Sequence, residues 1–146
     1  MLSSASRIRL TSSLPRVCRM QKSTDKLDEM FRLREEFMHL LCERFEGYYP
    51  EWPIDLSTKQ SQTLVRDITL RGVEEMFEAL AELKNAKPHR QTEVQHLDRD
   101  AFLEEIVDAM KYFFTTLRLV GVTPEELHSA YVRKHEKICD RLRNGY

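Results

Sequence analysis

The sequence predicts an all-α fold, a bundle of four helices. Three observations predict it. Gly and Pro number only 4 and 5 among 146 residues, so helix breakers are sparse. Apolar residues recur at helical spacing through four long segments. No segment alternates apolar and polar residues as a half-buried strand does, and no repeat or low-complexity tract interrupts the chain.

The first helix is expected from Thr24 to about Phe45, capped by Ser23 or Thr24. Leu27, Met30, Phe31, Leu33, Phe37, Leu40 and Leu41 form its apolar stripe. Gly47-Tyr48-Tyr49-Pro50-Glu51-Trp52-Pro53 then breaks the helix, because its prolines lack the N–H a helix interior requires. The second helix opens at Ser57 or Thr58 and runs to about Asn85, with Gly72 in its middle. That glycine costs roughly 1 kcal/mol relative to Ala, and it permits a kink or a close approach. Ala86 to Leu97 reads as a polar connector. The third helix follows Asp98 and stops at Gly121. Thr123-Pro124-Glu125-Glu126 opens the fourth, with Thr as cap, Pro in the first turn and Glu as box partner; that helix runs to about Asn144.

The length suits one domain, residues 23–146, behind a tail of residues 1–22. The tail carries Arg7, Arg9, Arg16 and Arg19 with no acid in its first twenty residues. Such composition resembles a mitochondrial transit peptide, although a disordered tail or an upstream start with Met20 as the true beginning explains it equally. The net charge of −1 argues against a general nucleic-acid binder. Cys18, Cys42 and Cys139 are odd in number and show no zinc spacing, which suits reduced thiols inside a cell. No apolar run is long enough to span a bilayer. The expected setting is intracellular and cytoplasmic, or mitochondrial if residues 1–19 are a targeting segment.

Two acidic segments stand out, Glu74-Glu75-Met76-Phe77-Glu78 and Glu104-Glu105-Ile106-Val107-Asp108. Spacing of three places Glu75 with Glu78, and Glu105 with Asp108, on one face of each helix. Val73, Met76, Phe77 and Leu80 surround the first pair, and Phe102, Leu103, Ile106, Val107 and Met110 the second. Acids beside a core-facing stripe are costly unless something compensates them. No basic residue lies four positions after any of the four. Acidic helix faces are usually just solvated. The same doubled pattern on two neighbouring helices favours a divalent cation between them, and carboxylate oxygens suit Mg2+ or Mn2+.

These residues resemble the all-α nucleoside triphosphate pyrophosphohydrolases, which include MazG-like proteins and the dimeric dUTPases. The order Glu-Glu-x-x-Glu, connector, Glu-x-x-Asp carries the resemblance. The tail, from Gly121-Val-Thr-Pro-Glu-Glu-Leu through Ala130-Tyr131, Lys134, Arg141 and Gly145-Tyr146, adds to it. The resemblance covers roughly residues 25–146. It implies Mg2+-dependent hydrolysis of a (deoxy)nucleoside triphosphate to the monophosphate and pyrophosphate by a homo-oligomer, a dimer or tetramer. The chain departs from the dUTPase-like branch at Lys134-His135-Glu136-Lys137-Ile138, where that branch has Lys-Asn-x-x-Asn. It also has Lys111 where that branch often has histidine. The base preference therefore stays open, between a dUTPase-like enzyme and one acting on purine deoxynucleotides.

The resemblance makes Glu75, Glu78, Glu105 and Asp108 the metal ligands. Glu74 and Glu75 are the catalytic candidates, with Glu74 preferred over Glu104 as general base. Lys111, Lys134 and Arg141 are candidates for phosphate contact, with Lys87 and Arg90 read more readily as surface cations. Trp52 is a candidate to stack a base, beside Tyr48 and Tyr49, although such residues more often plug the end of a bundle. His135 replaces an asparagine of the related branch and is a candidate base contact. Two rivals remain. A di-iron bundle needs two Glu-x-x-His motifs, and only Glu125-x-x-His128 exists. A non-catalytic helical module binding another protein is the alternative from a different class.

Overall fold

The computed structural model describes residues 25–83, 89, 91, 93 and 96–145. The expected tail over residues 1–22, the cap candidates Ser23 and Thr24, and the cations Lys87 and Arg90 lie outside them. Four helices and no strand occur among the described residues: α1 (Lys26–Arg44), α2 (Lys59–Glu82), α3 (Arg99–Leu119) and α4 (Pro124–Asn144). No helix is long and apolar enough to cross a membrane.

Side-chain caps set the helix starts. Asp25, rather than Ser23 or Thr24, caps α1 by accepting from the Leu27 and Asp28 amides. Thr58 accepts from the Ser61 amide at the start of α2, and Asp98 from the Asp100 and Ala101 amides at the start of α3. Thr123 and Glu126 complete a capping box around Pro124 at the start of α4. Each cap satisfies amides that have no partner in the first turn.

α2 and α3 form the tightest pair. Small residues make this possible. Gly72, Ala79 and Ala109 are all buried along the seam. A Cβ on Gly72 would meet Phe113 Cε1 at 3.0 Å, Tyr112 Cβ at 3.1 Å and the Ala109 carbonyl oxygen at 3.2 Å. The Thr69 and Thr116 hydroxyls meet 3.0 Å apart across the same pair. Gly72 therefore serves close packing, the second of the two roles its position allowed.

α1 packs on α3, and here the expected stripe needs correcting. The buried residues of α1 are Phe31, Arg34 and Met38, whereas Met30, Leu33, Phe37 and Leu40 are exposed. Phe31 of the expected stripe is buried and Leu27 and Leu41 are half-buried, but the stripe was drawn too wide because apolar residues cover most of this helix's circumference. Met38, Ile68 and Leu119 form the core cluster, with Tyr49, Trp52, Ile54, Leu64 and Tyr112 against it. The loop before α2 is pinned there, since the Ile54 amide donates to the Leu119 carbonyl at 2.8 Å. Gly121 ends α3 at φ +79°, and a Cβ there would meet Pro53 Cβ at 2.8 Å.

α4 carries no buried residue. Its packing within the chain runs to α1, with its first turns beside Leu117. The acidic pairs' apolar neighbours are also less covered than a core-facing stripe would be. Val73, Phe77 and Leu80 on α2, and Leu103, Val107 and Met110 on α3, are exposed, Phe77 by 67 %.

Candidate metal centre

The close α2–α3 seam decides where the acids meet. Glu75 follows Gly72 by three residues, and Glu105 precedes Ala109 by four. Both therefore stand one helical turn from a point where the backbones approach closely. One carboxylate oxygen from each of Glu75, Glu78 and Glu105 lies within 4.8 Å of the other two. Glu75 and Glu105 are half-buried and Glu78 is exposed.

The electrostatics follow from this crowding. The Glu75 carboxyl is raised above its ordinary value, first by partial desolvation and then by Glu78, Asp108, Glu105 and Glu74. Glu105 is raised likewise, by desolvation and then by Glu78, Asp108, Glu104 and Glu82. Asp108 thus contributes to the negative field without belonging to the three-oxygen cluster. Its Oδ1 accepts from Lys111 Nζ at 2.9 Å, an ion pair at i,i+3. The four expected ligands divide into a tight trio and a fourth residue held by lysine. Hard oxygen donors crowded together and partly desolvated fit a divalent cation, because such an ion replaces their repulsion with attraction. Glu74 and Glu104 are exposed beside the cluster.

The remaining candidates lie elsewhere. Lys134, His135 and Arg141 are exposed on α4, which packs on neither α2 nor α3 over its length. His135 Nε2 sits 3.6 Å from Cys139 Sγ. Arg141 lines a shallow cleft with Arg133, Glu136, Lys137, Asp140 and Asn144. Trp52 is half-buried against the core, 4.9 Å from the His39 ring between centroids, and its Nε1 donates to Glu35 Oε1 at 3.3 Å.

That contact belongs to a polar network not anticipated from the sequence. Arg118 Nη2 also donates to Glu35 Oε1, at 2.5 Å. Burial acts to raise the Glu35 carboxyl, but hydrogen bonds from Arg118 and Trp52, together with the nearby Arg118 charge, leave the group lowered. Nearby, Arg34 Nε donates to Thr115 Oγ1, and that hydroxyl donates to the Lys111 carbonyl at 2.9 Å. Spacing carried a signal for Arg34, since it falls in register between the buried Phe31 and Met38.

The chain matches no family model, no curated protein and no solved structure.

Proposed function

We infer that this chain is a divalent-metal-dependent nucleoside triphosphate pyrophosphohydrolase. It hydrolyses a (deoxy)nucleoside triphosphate to the monophosphate and pyrophosphate, as a dUTPase-like enzyme or one acting on dGTP or dATP. One observation supports this above the others: oxygens from Glu75, Glu78 and Glu105, on two helices, lie within 4.8 Å of one another. This trio lies within the acidic pattern on which the sequence resemblance rests.

Glu75, Glu78 and Glu105 would hold Mg2+ or Mn2+, with Asp108 joining once Lys111 turns away. When bound, the cation screens the charge of a triphosphate and lowers the pKa of a coordinated water. The chain's own residues supply the rest. Glu74, exposed next to the cluster in sequence, would accept the proton of the attacking water. Lys111 offers its ammonium to a phosphate oxygen. Lys134 and Arg141 on α4 would serve the same purpose within a homo-oligomer.

Pyrophosphate release from a panel of nucleoside triphosphates, with and without Mg2+, tests this. Metal-dependent release is expected, and it should be lost in Glu75→Gln and Asp108→Asn while folding persists. Full activity in both variants overturns the site. A second reading, a helical module that binds another protein, draws on the exposed α4, where Tyr131 and Leu142 are 73 % and 69 % exposed. Absence of turnover on every triphosphate would favour it.

A further inference from the structure

Arg34 is 9 % exposed, yet no carboxylate pairs with it among the described residues. Its surroundings are neutral. Nε donates to Thr115 Oγ1, the guanidinium carbon sits 4.9 Å from the centre of the Phe37 ring, and Tyr49 and Tyr112 lie close by. A buried cation without a counter-charge is expensive, and a guanidinium has five N–H donors to satisfy. Thr115 takes one of them and the Tyr49 hydroxyl another, which leaves donors over.

Arg34 also forms part of the wall of a cavity between α1 and α3. The volume is about 370 Å³, within the range of small-molecule clefts. Its remaining wall is largely apolar, with Phe37 and Phe114 among the lining residues. Lys111 lines it too, and its Nζ bonds Asp108, which lies outside the three-oxygen cluster but adds to its field, so one lysine touches both the cavity wall and the acidic region of α3. A flat apolar ligand with hydrogen-bond acceptors at its edge suits this combination.

We propose that the cavity holds the base of the nucleotide, and that Arg34 selects bases carrying two adjacent acceptors. This rests on the triphosphate reading above and narrows it, away from dUTP and dATP and towards dGTP or dCTP. A guanidinium fork only donates. Guanine meets it with O6 and N7, and cytosine with O2 and N3. Adenine sets an amino donor beside each acceptor on its exposed edges, and uracil sets the N3–H between O2 and O4. Both oppose a donor to the fork.

Calorimetric titration of the full chain with dGMP, dCMP, dAMP and dUMP tests this without any turnover. dGMP and dCMP should bind about tenfold more tightly than dAMP and dUMP, the discrimination a bidentate guanidinium pair supplies. Arg34→Lys keeps the charge and loses the fork, so the ranking should flatten. Should that variant unfold, Met110→Trp fills the cavity with Arg34 intact, and binding of all four should disappear. 7-Deaza-dGMP lacks N7 and should lose about tenfold against dGMP, which separates the guanine arm from the cytosine arm. Four equal affinities, no binding at all, an unchanged ranking in folded Arg34→Lys, undiminished binding in Met110→Trp, or undiminished 7-deaza-dGMP binding beside tight dGMP overturns the proposal. Selective dGMP or dCMP binding without pyrophosphate release from any triphosphate would instead sink the hydrolase reading and leave the cavity's selectivity standing.

Discussion

Replacing Glu75 by Gln separates two effects that the native side chain combines. The amide removes a charge from a crowded field, so the metal-free protein should melt at a higher temperature than wild type. It also removes a ligand, so the stabilisation that Mg2+ confers should shrink. Thermal melts with and without Mg2+ check both at once. The pH dependence has a definite sign. Glu75 and Glu105 are raised from an ordinary value of 4.5, so the folded chain holds their protons more tightly than the unfolded chain does. Their contribution to stability is full below that value and is lost as pH rises through the raised values. Glu35 is lowered, so its contribution is present above the ordinary value and is lost as pH falls through the lowered one. Metal-free stability should therefore decline as pH rises above the ordinary carboxylate value, with a shallower slope in Glu75→Gln. Equal slopes in the two proteins would remove mutual repulsion as the cause. At this scale the acidic cluster was legible, because a spacing of three on two helices is written directly in the chain. Arg34 showed only its register between Phe31 and Met38, and Glu35 and Arg118 showed nothing, because a charged residue reads as solvated until its neighbours are known.

The helices meet through positions where side chains are missing. Gly72→Leu would push atoms into Phe113, Tyr112 and the Ala109 carbonyl, and should cost about 2 kcal/mol. Chemical denaturation measures that loss, and Mg2+ affinity should fall with it as Glu75 moves away from Glu105. Gly121→Ala meets both a positive φ and Pro53, and should cost about 1–2 kcal/mol by the same measurement. A tolerated alanine there would show that the α3–α4 corner is looser than its contacts indicate. The starts of α2, α3 and α4 were legible because Thr58, Asp98 and Thr123 each precede a periodic run. The start of α1 was missed because Ser23, Thr24 and Asp25 are adjacent caps of similar quality, and only the accepted amides separate them. The buried face of α1 was legible only in part, at Phe31, because the rest depends on where α3 lies.

A 21-residue helix with no buried residue gains little stability from its own chain, since most helical stability in proteins comes from packing an apolar face. Exposed Phe77, Leu80, Tyr131 and Leu142 add an apolar surface that water solvates poorly. The proposed homo-oligomer would cover part of this surface. Sedimentation at micromolar concentration should give at least twice the chain mass, and Leu142→Arg should reduce it. A single-chain species in the wild-type protein would remove the oligomer from the proposal. The four-helix content was legible in the sequence, but the arrangement was not, because a hydrophobic period states that a face is covered and never by what. The seam of Gly72, Ala79 and Ala109 has one more effect. These residues have no rotamers to shift, so the distance between α2 and α3 has little give. An ion strung across it must fit the span as it stands. Ca2+, whose oxygens sit about 2.3–2.6 Å away against about 2.0–2.1 Å for Mg2+, should occupy the trio without supporting turnover and should act as a competitive inhibitor.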